Sequence, residues 1–187
     1  LERLDTAYYE DNSPKMSDAA YDLLKDELRE RAPRHEYLKQ IGSRVQHGIK
    51  TELPVSMGSL RKIRPSEVVS WLSKITFGKC NDLCITPKLD GIAGLLHYKQ
   101  GKLHAAYTRG DGIIGRNITE NARYIQGVPL RLNNPAHYKH FLEGDTFFKC
   151  EFIIHTSIFD EKYKRQTLPN GKEYSAARNF CGGMLNT

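Results

Sequence analysis

The spacing of apolar residues changes once along the chain, near Leu83, and this change limits the folds open to it. Before that point, apolar side chains recur at the three- and four-residue intervals of amphipathic helices. Beyond it, short segments of strand composition follow one another and are separated by turn residues. Helices followed by strands favour an α+β domain over a doubly wound parallel sheet.

A helical hairpin is predicted at the start of the chain. The first helix is interrupted by the Asn-Ser-Pro segment 12–14, because this tripeptide combines turn formers with a helix breaker. Ser17 is the predicted N-cap of the second helix, since its hydroxyl can accept a hydrogen bond from an early backbone N–H. Pro33 follows the predicted end of that helix.

An irregular connection is predicted over residues 41–60, where Gly, Ser and Pro are frequent. We therefore predict a helical subdomain over residues 1–45 and a second domain over residues 46–187. A further helix is predicted to open at Pro65–Glu67, because proline is favoured in the first helical turn.

Strand composition recurs in four segments. These are Leu83–Pro87, Ile92–Tyr98, Lys102–Thr108 and Phe147–Ile154. Gly101 marks a hairpin turn between two of them, which makes the sheet mainly antiparallel. Thr156 is a candidate cap for a helix after the last strand.

Composition excludes two classes of protein. No apolar run approaches the ~20 residues that a membrane helix needs. Four cysteines among 187 residues are too few for a disulfide scaffold and favour a reducing, cytosolic setting. The net charge of +6 permits a polyanionic partner such as nucleic acid without requiring one. The spacing of the Cys and His residues does not match a metal site, so we predict no metal-ligating residue.

The segment Lys88–Gly91 lies between two predicted strands and carries a candidate nucleophile. A lysine amine attacks only in its deprotonated form, so Lys88 needs surroundings that favour the free amine. The alternative is a surface lysine in a turn, with Asp90 and Gly91 as the turn residues.

The glycines at 110, 112 and 115 formally satisfy the dinucleotide-binding pattern G-x-G-x-x-G. That fold requires a buried parallel strand before the motif and an acidic residue about 20 positions after it. Here the preceding strand belongs to a hairpin, and Leu130–Leu132 occupies the later position. We reject this interpretation.

Two further groups of side chains are candidate ligand contacts. Asp18, Tyr21 and Asp22 fall within one stripe of the second helix and could hold a cationic or polyhydroxylated ligand. The alternative is a solvated acidic face with Tyr21 at the edge of the core. Glu151 lies in an apolar strand, where a carboxylate is costly unless it binds a cation, a metal or ligand hydroxyls.

Taken together and in order, these motifs resemble the N-terminal half of the bacterial-type NAD-dependent DNA ligases. The matching segments are Tyr8–Leu24, Met57–Leu60, Lys88–Gly91, Thr108–Pro129, Glu151 and Arg178–Asn179. The resemblance implies an NMN-binding helical hairpin followed by a mainly antiparallel nucleotidyltransferase domain that is incomplete at its C-terminus.

The resemblance also implies a role for each matched residue. Lys88 would attack NAD and carry AMP, Asp90 would orient the lysine and the ribose, and Arg178 would contact the phosphate. The implied NAD contacts are Tyr8, Tyr9, Asp18, Tyr21, Asp22, Ser59, Leu60, Thr86, Arg109 and Glu151. The implied cofactors are NAD and Mg²⁺, and the implied partner is nicked double-stranded DNA. The protein is expected in the cytoplasm, or wherever host DNA lies if the source is viral, and not in a membrane.

The sequence departs from the family pattern at several positions. Thr86 replaces a usual Glu, Tyr9 a His, Asn12 an Asp and Asn186 an Arg. Nothing after Glu151 resembles the later lysine motifs of the family. We therefore expect a fragment, or one subunit of an enzyme that a second chain completes.

Two other functions stay open at this point. The first is an ATP-dependent polynucleotide ligase or a capping-type nucleotidyltransferase, which would share the Lys88–Gly91 motif. The N-terminal hairpin argues against it, because that hairpin has no role when the leaving group is pyrophosphate. The second is a non-catalytic subunit of a split ligase. Covalent AMP on the chain would separate these functions.

Overall fold

The computed structural model describes most of the chain as a mixture of helices and antiparallel strands. The described residues are 1–9, 15–39, 49–60, 62–76, 83–133, 143–167, 171, 173–174 and 176–186. The helices are α1 (Glu2–Tyr9), α2 (Asp18–Arg31), α3 (Val68–Thr76), α4 (Thr119–Ala122), α5 (Thr156–Ile158) and α6 (Ala177–Asn186). The strands are β1 (Lys50–Glu52), β2 (Ile92–Lys99), β3 (Lys102–Thr108), β4 (Ile114–Arg116) and β5 (Asp145–Phe152). The predicted α+β class is confirmed.

The two helices predicted at the start of the chain form α1 and α2. Ser17 caps α2 as predicted, and its Oγ accepts a hydrogen bond from the Ala20 N–H at 3.3 Å. The helix ends at Arg31, two residues before Pro33. The interrupting segment 12–14 lies outside the described residues.

A buried carboxylate joins the hairpin to the segment after it. Asp5 of α1 is only 7% exposed and accepts hydrogen bonds from the hydroxyls of Tyr21 (2.7 Å) and Tyr37 (2.6 Å). Tyr21 belongs to α2, and Tyr37 to a 3-10 turn over Glu36–Lys39. Burial and these hydrogen bonds raise the pKa of Tyr37, so its proton stays in place. The Asp5–Tyr21–Tyr37 cluster therefore connects three separate elements.

Three antiparallel strands form the main sheet, in the order β3-β2-β5. β2 and β3 coincide with predicted strands to within one residue. The turn between them uses positive φ at Gln100 (49°) and Gly101 (72°), as a two-residue hairpin turn of this hand requires. β5 begins two residues earlier than predicted, at Asp145, and pairs along its whole length with β2.

The sheet is covered on both faces. On one face, Leu96, Tyr98 and Ala106 pack with residues of α4 and α6. On the other, Leu95 packs against Leu53 and Met57 from the segment after β1. Successive side chains of β2 point to opposite faces, so one strand contributes to both clusters.

Three predictions about local structure are wrong. Leu83–Pro87 is not a strand: Leu83 is 59% and Ile85 91% exposed, and no described strand pairs with this segment. The connection predicted as irregular contains β1, which is ordered by pairing with β4. Thr156 is not a cap but the first residue of α5, whose N-cap position is His155.

The Pro65–Glu67 segment opens a helix as predicted. It forms a 3-10 turn that continues into α3, and the Arg64 N–H donates to the Glu67 carboxylate at 3.0 Å. The boundary between residues 45 and 46 lies outside the described residues and stays a prediction. In the described part of the chain, every helix is too short or too polar to cross a bilayer.

Replacing Asp5 by alanine should destabilise the protein by about 1–3 kcal/mol, because it leaves two partly buried tyrosine hydroxyls without their acceptor. Urea denaturation followed by circular dichroism would measure the change. Glu2→Ala is the matched control, since Glu2 is an exposed acidic residue on the same helix. Equal effects of the two substitutions would contradict a structural role for the cluster.

Candidate functional site

One end of the three-stranded sheet gathers residues that are distant in sequence. Antiparallel pairing places the start of β2 beside the ends of β3 and β5: Gly94 faces Thr108, and Ile92 faces Phe152. The Lys88–Gly91 segment leads into β2, and Glu151 precedes the last residue of β5. The predicted catalytic segment and a predicted ligand contact therefore lie at the same end of the sheet.

The backbone of Gly91 is the centre of this arrangement. Its N–H donates to Glu151 Oε1 at 3.2 Å, and its carbonyl accepts from Arg178 Nε at 2.8 Å. The same Arg178 nitrogen lies 3.3 Å from Asp90 Oδ1, in an ion pair. Because Arg178 is only 15% exposed and bound at two points, its position is well defined. The structure thus brings Asp90, Glu151 and Arg178 together.

Only glycine fits at position 91. A Cβ there would lie 2.2 Å from the Phe152 carbonyl oxygen and 2.7 Å from a methyl group of Ile153. The backbone of β5 therefore approaches β2 too closely for any side chain. This contact lets the Gly91 peptide reach the carboxylate of Glu151.

Glu151 occupies a different environment from the one that its sequence suggests. The neighbouring apolar residues predicted a carboxylate enclosed by apolar groups, whereas Glu151 is exposed. The reason is that β5 is an edge strand in the described part of the sheet, and several of its side chains face solvent. Its role as a ligand contact stays a prediction.

Lys88 and Thr86 lie in the irregular, exposed segment before β2. Within the described part of the chain, no hydrogen bond or ion pair holds the Lys88 ammonium. Lys88 is three residues from Gly91, so its backbone stays close to the carboxylate and guanidinium groups held there. The structure does not bring Thr86 into contact with either group.

Arg109 is held at the same end of the sheet by the turn after β3. Its N–H donates to the Ala93 carbonyl at 3.0 Å. Asp111 forms the turn, because its Oδ1 accepts from the N–H groups of Ile113 (3.0 Å) and Ile114 (2.7 Å). The Arg109 Nε is buried and has no hydrogen-bond partner among the described residues, so it can donate to a ligand.

Glycine is also required within this turn. Gly110 has a φ of +55°, and a Cβ there would lie 1.9 Å from the Ile114 carbonyl oxygen. The Gly-rich motif is therefore a tight turn that presents Arg109, and Asp111 acts in the turn itself. This agrees with the rejection of a dinucleotide-binding fold.

Two polar residues of the same long motif hold the surrounding elements. The Ala106 N–H of β3 donates to Thr119 Oγ1 at 3.0 Å. The Asn121 amide donates to the carbonyls of Met184 (3.3 Å) and Leu185 (3.0 Å) near the end of α6. These contacts connect β3, α4 and α6, the helix that carries Arg178.

Aromatic packing also positions α6. The Phe180 ring stacks on Tyr163 at a centroid distance of 4.5 Å and meets the edge of Tyr174 at 5.1 Å. Tyr163 ends the π-helical turn Phe159–Tyr163. Sequence reasoning missed this support, and the only signal available was the density of aromatic residues between 159 and 180.

Ser59 and Leu60 follow a segment that is tied to the Arg109 turn. The Met57 N–H donates to the Gly112 carbonyl at 2.9 Å, and the Met57 side chain is buried. Both Ser59 and Leu60 are exposed, and Leu60 is 79% exposed. The roles of Ser59 and Leu60 as ligand contacts stay predictions.

The predicted contacts of the hairpin divide into two groups. Tyr8, Tyr9 and Asp18 lie on α1 and α2, and their side chains are outside the described part of the structure. The Tyr21 hydroxyl belongs to the Asp5–Tyr21–Tyr37 cluster, which supports the alternative that Tyr21 lies at the edge of the core. Asp22 is half-exposed and bound by Lys62, whose Nζ lies 2.8 and 2.6 Å from the two carboxylate oxygens.

The described residues contain no group of three or more His, Cys, Asp or Glu side chains that could hold a metal ion. Cys150 and Cys181 are partly buried, and burial raises the pKa of each thiol to about 11, with a further contribution from the Glu151 carboxylate. Both therefore stay protonated near neutral pH and are poor nucleophiles.

Comparison with known proteins gives consistent matches. The family model described as the NAD-dependent DNA ligase adenylation domain matches residues 39–187. A DNA ligase of Borreliella afzelii is 31% identical over 194 residues, covering 99% of this chain and 28% of that protein. A DNA ligase of Cereibacter sphaeroides is 37% identical over 99% of this chain and 27% of that protein. A DNA ligase of Blochmanniella floridana is 33% identical over 99% of this chain and 34% of that protein. The chain thus spans about a third or less of the length of these relatives.

Replacing Gly91 by alanine should lower the free energy of unfolding by about 1–3 kcal/mol, because the new methyl group would overlap the β5 backbone. Gly58→Ala is the matched control, since nothing lies within 4 Å of a Cβ there. Urea denaturation of both variants would measure the difference. If the two variants were equally stable, the close approach of β2 and β5 at Gly91 would be wrong.

Proposed function

We propose that this chain, which belongs to the NAD-dependent DNA ligase adenylation-domain family, takes AMP from NAD onto Lys88 during DNA ligation. The observation that carries the proposal is the convergence of Asp90, Glu151 and Arg178 on Gly91, three residues from Lys88. A turn lysine without catalytic function would not need a carboxylate and a guanidinium held on the backbone three residues after it.

The reaction begins with the deprotonated Lys88 amine. Its Nζ attacks the α-phosphorus of NAD, which is a substrate here. An N–P bond forms while the P–O bond to NMN breaks, NMN leaves with the electron pair, and the attacking nitrogen loses one proton to water. Covalent catalysis of this kind divides one difficult displacement into easier steps. The AMP would then pass to the 5′-phosphate of a DNA nick, and the 3′-hydroxyl would displace it as the strand is sealed.

Arg178 is proposed to contact the phosphate of the substrate. Its Nε is committed to Gly91 and Asp90, so the guanidinium is oriented before substrate arrives. A cation fixed in advance stabilises charge that develops on phosphate oxygens without reorganising during the reaction. Asp90 orients this arginine together with the lysine segment, and Glu151 accepts hydrogen bonds from ribose hydroxyls.

The nucleoside half of the substrate would lie near the Arg109 turn. The unpartnered Nε of Arg109 supplies a donor, and the exposed Leu60 supplies an apolar surface for the base. Ser59 and Thr86 are proposed to border the adenine. Thr86 offers only a hydroxyl at this position, so its contribution to recognition is smaller than that of an acidic side chain.

The nicotinamide half would be bound by the helical hairpin. Asp18 and Asp22 supply negative charge toward the cationic ring, and Tyr8, Tyr9 and Tyr21 supply aromatic faces. Because the Tyr21 hydroxyl is engaged by Asp5, we assign to Tyr21 a contact through its ring.

Mg²⁺ is proposed to enter the site with the phosphates of the substrate. The described residues offer no site of three ligands, and Mg²⁺ usually combines one or two carboxylates with phosphate oxygens and water. Glu151 is the carboxylate best placed to contribute, since it is exposed and not paired with an arginine. When bound, the ion would neutralise negative charge on the phosphates.

Nicked double-stranded DNA is the proposed partner, and the net charge of +6 is compatible with it. Because the chain spans about a third or less of its relatives, we propose that further ligase motifs, on the same polypeptide or a second chain, complete the enzyme. The reaction would take place where the DNA is, in the cytoplasm or in the compartment that holds host DNA if the source is viral.

Lys88→Arg should abolish covalent labelling by NAD carrying a labelled adenylate, because arginine keeps the charge but does not deprotonate readily. Lys102→Arg is the matched control, since Lys102 is exposed at the far end of β3. The variants are compared in a polypeptide or assembly in which the parent sequence takes up label. Labelling is measured on a denaturing gel. Equal labelling of Lys88→Arg would contradict the assignment, and labelling from ATP but not NAD would favour the ATP-dependent class.

The 187 residues alone should bind NAD or NMN weakly and should not seal nicks, because much of the positive charge that stabilises phosphoryl-type transfer would have to come from further motifs. The measurement is a nick-sealing assay with purified chain, NAD and Mg²⁺ at low salt. Addition of a polypeptide that carries the remaining ligase motifs should give activity. Multiple-turnover sealing by the chain alone would show that the further motifs are not required.

A further inference from the structure

Two ion pairs connect the hairpin with the segment before α3. Lys62 Nζ lies 2.6 Å from one carboxylate oxygen of Asp22 and 2.8 Å from the other. Arg64 contacts Asp26 Oδ2 at 2.6 Å. Asp22 and Asp26 are four residues apart and therefore neighbours on one face of α2. The acidic face of α2 is thus matched to two cations of a separate segment.

The two pairs differ in what they leave accessible. Asp26 is also bound by Arg29 of its own helix, so its carboxylate contacts two guanidinium groups. Asp22 is bound through both oxygens by the Lys62 ammonium, which is itself 80% exposed. The Lys62 side chain can therefore move into solvent, and the Asp26 contacts do not involve it.

We propose that Lys62 is a specificity-determining residue that competes with the nicotinamide ring of NAD for Asp22. This inference rests on the proposed function, in which Asp22 faces the cationic nicotinamide. The Lys62 ammonium occupies both oxygens and offsets the negative charge of this carboxylate, so it weakens the attraction of Asp22 for a second cation. The nicotinamide half therefore binds Asp22 more favourably once Lys62 has moved away.

Breaking the Asp22–Lys62 ion pair costs a small but measurable part of the free energy of NMN binding. An exposed ion pair contributes about 0.2–1 kcal/mol, because water screens the charges. Lys62→Met should therefore lower the Kd for NMN by a factor of about 1.4 to 5. Lys62→Arg should keep the parent affinity, because it restores a cation beside Asp22. The Kd for AMP should not change in either variant, since AMP carries no nicotinamide.

The experiment titrates the purified chain with NMN and separately with AMP, using ligand-detected nuclear magnetic resonance, which measures weak binding. Arg29→Met is the matched control: it also removes one positive charge at the acidic face of α2, but it leaves the Asp22–Lys62 pair intact. Asp22→Asn and the double variant Lys62→Met/Asp22→Asn complete a double-mutant cycle.

The expected result is tighter NMN binding in Lys62→Met, parent-like binding in Arg29→Met and Lys62→Arg, and no gain from Lys62→Met once Asp22 is Asn. If Asp22→Asn weakens NMN binding but Lys62→Met leaves it unchanged or weakens it, the competition is overturned while the role of Asp22 stands. If Asp22→Asn does not weaken NMN binding, both the nicotinamide contact and the competition are wrong.

Discussion

The hydrogen bonds of the Gly91 peptide hold the candidate site together. The Glu151 carboxylate accepts from its N–H, and the Arg178 guanidinium donates to its carbonyl. Both bonds involve charged groups, which makes them stronger than bonds between neutral partners. Gly91 leads directly into β2, and its N–H and its carbonyl are both hydrogen-bonded, so the carboxylate and the guanidinium are held on the backbone of one residue. The missing side chain at position 91 permits this, because any Cβ would collide with β5.

Residues around the candidate site maintain this geometry. Asn121 binds the last carbonyls of α6, and Phe180 is packed between Tyr163 and Tyr174, so the helix that carries Arg178 is held at both ends. Asp111 shapes the turn that presents Arg109. Much of the motif between positions 108 and 129 is therefore structural. A motif that is specific for a family need not consist of residues that contact the substrate.

The strands β2 and β3 could be predicted because local composition determines them and Gly101 marks their turn. The strand β1 could not be predicted, since a three-residue strand forms only when it pairs with its partner β4. The segment Leu83–Pro87 has the composition of a strand, but it is not a strand because no described strand pairs with it. The resemblance to a known family implied Asp90, Glu151 and Arg178 as site residues. It could not show that the backbone of one residue joins them, because Gly91 lies 60 positions from Glu151 and 87 from Arg178.

Burial distinguishes two carboxylates of the hairpin. Asp5 is buried, and its two hydrogen bonds come from tyrosine hydroxyls of other elements, so water does not compete for it. Asp22 is half-exposed, and its partner is an exposed lysine that water can replace at little cost. Spacing alone put Tyr21 and Asp22 on one face, yet Tyr21 belongs to the buried cluster and Asp22 to the exchangeable pair. Only a carboxylate of the second kind can release its partner in favour of a ligand.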